Sequence, residues 1–165
     1  MRLFTFIILA LFLLACESTE PQVEENTIQR SDLIGVWEQV DFKVTYNTFD
    51  EPDSIRVFEV KEENWTKSLS IKPVKTYFLA DSTYRQDFID LNDNVYDTQR
   101  GLWNLIGDTL MLISPSATYT YDIELSSNGT YDYSGLLDWD GDGAEDDRYE
   151  AKQRLVSRNT SGAAR

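Results

Sequence analysis

From Thr118 to Leu125 the side chains alternate without a break: Tyr119, Tyr121, Ile123 and Leu125 on odd positions, with Thr118, Thr120, Asp122 and Glu124 between them. A period of two puts the first set on one face of a strand and the second on the other, so the segment has a dry face that must be covered. The same period recurs at Tyr149, Ala151, Gln153 and Leu155, and at Trp65, Lys67, Leu69 and Ile71, where Lys67 interrupts the dry face. Turn signals fall between the runs: Asp50 to Asp53 around Pro52, Asn92-Asp93-Asn94, Gly107-Asp108, Ser114-Pro115 and Asn128-Gly129. Together they predict strands over 35–46, 54–61, 65–71, 74–80, 83–90, 96–105, 109–114, 117–125, 130–137 and 147–156. In the first of these Trp37 is odd while Val40, Phe42, Val44 and Tyr46 are even, which predicts a bulge near Glu38 that switches faces. Ser31 and Asp32 can cap one helical turn just before it.

No long helical period is present to supply a covering layer, so the expected fold class is all-β, with the sheet folding on itself. An antiparallel up-and-down β-barrel of about eight to ten strands does this, and so does a two-sheet sandwich; periodicity alone does not separate them.

Composition removes several chemistries. The chain has no histidine, so neither a Ser-His-Asp nor a Cys-His arrangement can be built, nor a His-rich zinc site. Its net charge of −14 repels phosphate backbones and anionic headgroups, which argues against nucleic acid and favours cations. The carboxylate pairs Asp87 with Asp90 and Asp93 with Asp97 belong to no recognisable motif, and the expectation is a protein that is not an enzyme.

The single cysteine, Cys16, ends Leu13-Leu14-Ala15-Cys16 after an apolar run from Leu3 to Ala15 that follows Met1-Arg2. That run is too short to cross a bilayer, which needs about 20 residues, and has the make-up of a secretory signal. Leu-Leu-Ala-Cys resembles a bacterial lipoprotein lipobox. The resemblance implies cleavage before Cys16, acylation of its sulfur and usually of the new amino terminus. Two or more chains at roughly 0.8 kcal/mol per buried CH₂ anchor stably where one does not. With the sulfur acylated, no disulfide is possible. The expected organisation is a signal peptide at 1–15, a lipidated, glutamate-rich flexible linker at 16–30, a β domain at 31–157 and a disordered tail at 158–165. Stretched, the linker reaches about 46 Å.

Gly35-Val36-Trp37 opens the first strand, and Gly101-Leu102-Trp103 recurs later, followed by the Gly107-Asp108 turn and Leu110-Met111-Leu112. Glycine permits a sharply coiled backbone, and a tryptophan two residues on faces the same side to plug a narrow end. These residues and the closing meander resemble the lipocalin-like domains of Gram-negative bacterial lipoproteins over 33–156. The resemblance implies an antiparallel barrel with one plugged and one open end, sometimes holding a small apolar or amphipathic ligand. It also implies a basic residue packed over the first tryptophan, for which Arg154 and Arg158 are both available. Tyr119, Tyr121, Tyr131 and Tyr133 can either line a wet cavity or fill the barrel. Outer-membrane anchoring is expected because Glu17 rather than aspartate follows Cys16, and Glu20, Glu24 and Glu25 loosely resemble surface-export signals. The domain is expected to be monomeric. The alternative function is a filled barrel acting as a structural or interaction module.

Asp138-Trp139-Asp140-Gly141-Asp142-Gly143-Ala144-Glu145-Asp146 fits D-x-D-x-D-G-x-x-D. Gathering so many carboxylates is repulsive unless a hard cation sits among them. The pattern resembles EF-hand-like and integrin-type calcium loops, which implies ligands at Asp138, Asp140, Asp142, the carbonyl of Ala144 and Asp146, with Gly143 at the tight turn. Tyr149 stands where an EF-hand has its bidentate glutamate. A structural calcium ion, bound at about 10⁻⁴ to 10⁻³ M, is expected here, against the alternative of a solvated Asp- and Gly-rich turn.

Overall fold

The structure, a computed structural model, describes residues 28–48 and 51–160. The expected signal peptide, Cys16 and most of the expected linker lie outside the described residues. The chain enters through a short helix α1 (Arg30–Leu33), which Asp32 caps by accepting the Gln29 N–H at 2.9 Å. Nine strands follow: β1 (Gly35–Thr48), β2 (Glu51–Val60), β3 (Lys75–Phe78), β4 (Thr83–Ile89), β5 (Val95–Ile106), β6 (Thr109–Ile113), β7 (Thr118–Ser126), β8 (Thr130–Leu137) and β9 (Asp147–Ser157).

Each strand from β3 to β9 pairs antiparallel with the next. β9 then returns to β1 along a register running from Val36 opposite Ser157 to Thr45 opposite Arg148. That pairing closes an eight-stranded up-and-down barrel and excludes the two-sheet sandwich. β2 is the extra strand: it pairs with the second half of β1, from Phe42 opposite Val60, while β3 takes the first half, from Gly35 opposite Phe78. The expected bulge is present, as register shifts between Val36 and Trp37 and between Gln39 and Asp41 on either side of Glu38. It lets Trp37 and Gln39 face inward below it and Phe42 and Val44 above it.

One predicted strand is corrected. Residues 65–71 form no strand; a 3₁₀ turn (Glu62–Asn64) runs into α2 (Trp65–Leu69), and Ile71 makes only an isolated bridge to Asp90. Over so few residues the two periods are degenerate. Trp65 and Leu69 are two alternations apart on a strand but also one turn apart on a helix, and in the helix Lys67 escapes the dry face. Trp65 is buried, and Ser70 ends the helix in the left-handed region at φ 59°.

One end of the barrel is plugged. Trp37 and Trp103 are both buried, and their indole N–H groups donate to the carbonyls of Leu33 (2.7 Å) and Leu79 (3.0 Å). Each ring carries a guanidinium. Arg158 lies over Trp37 at 5.6 Å from the ring centroid, and Arg30 over Trp103 at 4.0 Å. Arg158 is thus the basic partner that the resemblance left open, while Arg154 pairs with Glu62 (2.8 Å) on the surface. Tyr131 meets Trp37 edge-on at 4.7 Å, completing the plug.

Candidate ligand cavity and acidic loop

Above the plug the inward-facing positions do not fill the barrel, and a cavity of about 950 Å³ remains. Its lower wall is polar because the inward register of β9 and β1 places Gln153 and Gln39 there. The Gln39 amide donates to the Tyr149 hydroxyl at 2.6 Å, the Tyr149 and Tyr133 hydroxyls lie 3.3 Å apart, and the Gln153 amide reaches Tyr133 at 3.4 Å. Leu110, Leu112, Phe78 and Phe88 add apolar surface, interrupted on β3, β4 and β5 by Thr76, Gln86 and Gln99. Tyr119, Tyr121, Tyr131 and Tyr133 all line the space, so the tyrosines border a cavity instead of packing it solid. Burial pushes the phenols of Tyr121, Tyr131, Tyr133 and Tyr149 well above their ordinary value of 10.0, keeping them neutral donors and acceptors. Arg148, at the mouth, is the only cation among the lining residues, and its Nε pairs with Glu150 at 3.2 Å. With Asp122, Asp138 and Glu145 also on its border, the space disfavours an anion and suits an amphipathic molecule that meets both apolar and hydrogen-bonding side chains. A smaller hollow on the outer face, about 480 Å³, is bordered by charges that pair with one another, as Lys43 does with Glu150 and Lys61 with Glu59.

The acidic loop joins β8 to β9 at the cavity mouth, and Asp138, Trp139 and Glu145 line that mouth. One carboxylate oxygen from each of Asp138, Asp140 and Asp147 lies within 4.8 Å of the other two, close enough to hold a metal ion. Asp142 and Asp146 are not in this group. Asp142 accepts the Ala144 N–H at 2.8 Å, and Asp146 is exposed. The Asp140 carboxyl is raised above its ordinary value by partial desolvation and by the charges of Asp142, Asp147 and Asp138.

No family model and no curated protein matches this chain.

The motif pointed to Asp146, and Asp147 was missed. A clue was present in the strand pattern: Tyr149, Ala151 and Gln153 face inward, so Asp147 on the same parity must do so too. The carboxylate pairs considered for catalysis are each engaged elsewhere. Asp87 pairs with Arg85 (3.1 Å), Asp90 accepts the Asn92 and Asn94 N–H groups (2.8 Å each), Asp93 pairs with Lys72 (2.5 Å) and Asp97 accepts the Thr98 N–H (2.8 Å).

Proposed function

We propose that this protein is a lipid-anchored envelope protein of lipocalin-like build that carries a small, neutral amphipathic molecule in its barrel, with a calcium ion stiffening the loop at the mouth. It acts as a carrier and not as a catalyst. The observation that supports carriage is the cavity of about 950 Å³, within the range of small-molecule sites and lined by the polar groups of Gln39, Gln153, Tyr133 and Tyr149 together with leucine and phenylalanine side chains. A filled barrel serving only as a contact module would lack this space. Anchoring rests on the Leu13-Leu14-Ala15-Cys16 segment, with outer-membrane placement as its corollary.

Carriage is tested by titrating the full chain in mild detergent with a neutral, environment-sensitive amphipathic dye and with its carboxylated analogue. Saturable binding of one neutral dye per chain, weaker for the anion and abolished by Leu112→Trp, is the expected result. Binding that is unsaturable or indifferent to Leu112→Trp overturns carriage. Anchoring is read separately, as the acyl mass on Cys16 and its loss with the membrane fraction in Cys16→Ala.

A further inference from the structure

We infer that Asp147, the buried first residue of β9, is the anchoring ligand of a calcium-class site completed by Asp138 and Asp140, and that Asp142 and Asp146 are not ligands. This rests on the calcium part of the function proposed above and changes the residues that carry it.

The decisive feature is Asp147 itself. It is only 1% exposed, and among the described residues its carboxylate has no ion-pair partner. One oxygen, Oδ2, accepts the Trp139 N–H at 2.8 Å and the Asp140 N–H at 3.1 Å. The other, Oδ1, is shut away from solvent and has no hydrogen-bond partner. A buried carboxylate oxygen left without a partner carries an uncompensated desolvation cost, which a cation held beside it would relieve. Lack of access to water is no obstacle to a bare ion. Calcium sits about 2.4 Å from its oxygens, closer than the roughly 2.8 Å at which a water can approach.

The spacing agrees. Oxygens on opposite sides of a calcium ion lie about 4.8 Å apart and adjacent ones nearer, so three within 4.8 Å of one another can share one ion. Asp138 and Asp140 each spend one oxygen on the loop, accepting the Gly143 and Asp142 N–H groups at 3.1 Å, and each keeps the other. All-oxygen donors with three carboxylates select a hard dication. Zinc would call for nitrogen or sulfur, and magnesium usually retains its waters and takes one or two carboxylates.

Bound there, the ion ties the end of β8 to the start of β9, which are paired through Leu137 and Asp147. It also fixes Trp139, which sits between two of the ligands at the cavity mouth.

The test is calorimetric titration of calcium into the metal-free full chain in detergent, with Asp147→Asn, Asp142→Asn and Asp146→Asn beside it. One site is expected, weakened at least about tenfold by Asp147→Asn and changed less than about twofold by the other two. Circular dichroism checks that each variant folds. Should Asp147→Asn fail to fold, retention of full affinity in Asp142→Asn and Asp146→Asn upholds the assignment, and its loss in either overturns it. Calcium binding that survives Asp147→Asn in a folded protein overturns the assignment while leaving a calcium loop in place. An absence of any heat with the unsubstituted chain overturns both.

Discussion

Trp139 of the acidic loop stacks on Phe58 of β2, with ring centroids 5.9 Å apart and planes inclined by 26°. The loop thereby grips the one strand that lies outside the closed barrel, and Phe42 joins both rings at 6.0 and 5.7 Å. Trp139 remains 42% exposed, so its removal forfeits the stacking more than it opens the core. Trp139→Ala is expected to lower stability by about 1–2 kcal/mol in urea unfolding, with hydrogen exchange accelerating first in β2. Exchange that rises equally in every strand would show that the stack does not hold β2 in place.

Of five buried phenols, the four raised furthest dominate the behaviour at high pH, and Tyr84 shifts in the same direction. Tyr121, Tyr131, Tyr133 and Tyr149 have folded values raised above the ordinary 10.0 by burial, and each is neutral while protonated. Above about pH 10 the unfolded chain loses these protons and the folded one does not, so the stability they confer is complete below that value and falls as pH rises. The slope reaches up to about 5 kcal/mol per pH unit. Phenolate absorbance from this set should therefore appear together with loss of the β-sheet signal. Phenolate that forms while the sheet persists would refute their burial.

At the plugged end, Arg158 and Arg154 offer a direct comparison. Arg158 covers Trp37 and its Nη1 donates to the carbonyls of Ile34 (3.0 Å) and Asp32, whereas Arg154 makes an exposed pair with Glu62. Arg158→Ala is expected to cost about 2–3 kcal/mol and Arg154→Ala less than about 1 kcal/mol, by thermal or urea unfolding. Equal losses would mean that the cap over Trp37 contributes nothing beyond a surface charge.

Gly101 and Gly143 differ in why they are glycine. A Cβ at Gly101 would stand 2.0 Å from the Ile113 carbonyl oxygen, a backbone atom of the neighbouring strand. Gly101→Ala should cost more than about 3 kcal/mol or prevent folding. Gly143 has open space around it and a φ of 93°, so Gly143→Ala meets only backbone strain, about 1 kcal/mol. Reversal of this order in urea unfolding would contradict the close approach of β5 and β6.

The calcium site proposed above predicts a gain in stability on binding. At calcium a hundredfold above its dissociation constant the folded state gains about 2.7 kcal/mol, which a chelator takes away. A melting midpoint that is the same with calcium and with chelator would speak against any ion at the loop.

Much of the fold was legible in the chain because strand alternation is a local property. The run through Tyr119, Tyr121 and Ile123 forms β7, and the irregular parity at Trp37 and Val40 forms a bulge, since each depends on side-chain direction a residue or two away. The segment at Trp65 and Leu69 was not legible, because two periods fit it and only packing against Phe42, at 5.7 Å from Trp65, selects the helix. The resemblance of Leu13-Leu14-Ala15-Cys16 to a lipobox rests on the sequence, and these residues lie outside the described ones.

The acidic loop shows the same division at the level of a site. The sequence by itself determined that a sheet with one dry face must fold so as to cover it, and that six carboxylates from Asp138 to Asp147 crowd one of its turns. Tertiary structure alone decided that β9 closes on β1, that Arg158 and not Arg154 reaches Trp37, and that Asp147 comes together with Asp138 and Asp140. The physical reason is distance along the chain. Alternation and turn chemistry act between neighbours, whereas closure, burial and the gathering of carboxylates depend on partners that only the completed barrel brings together.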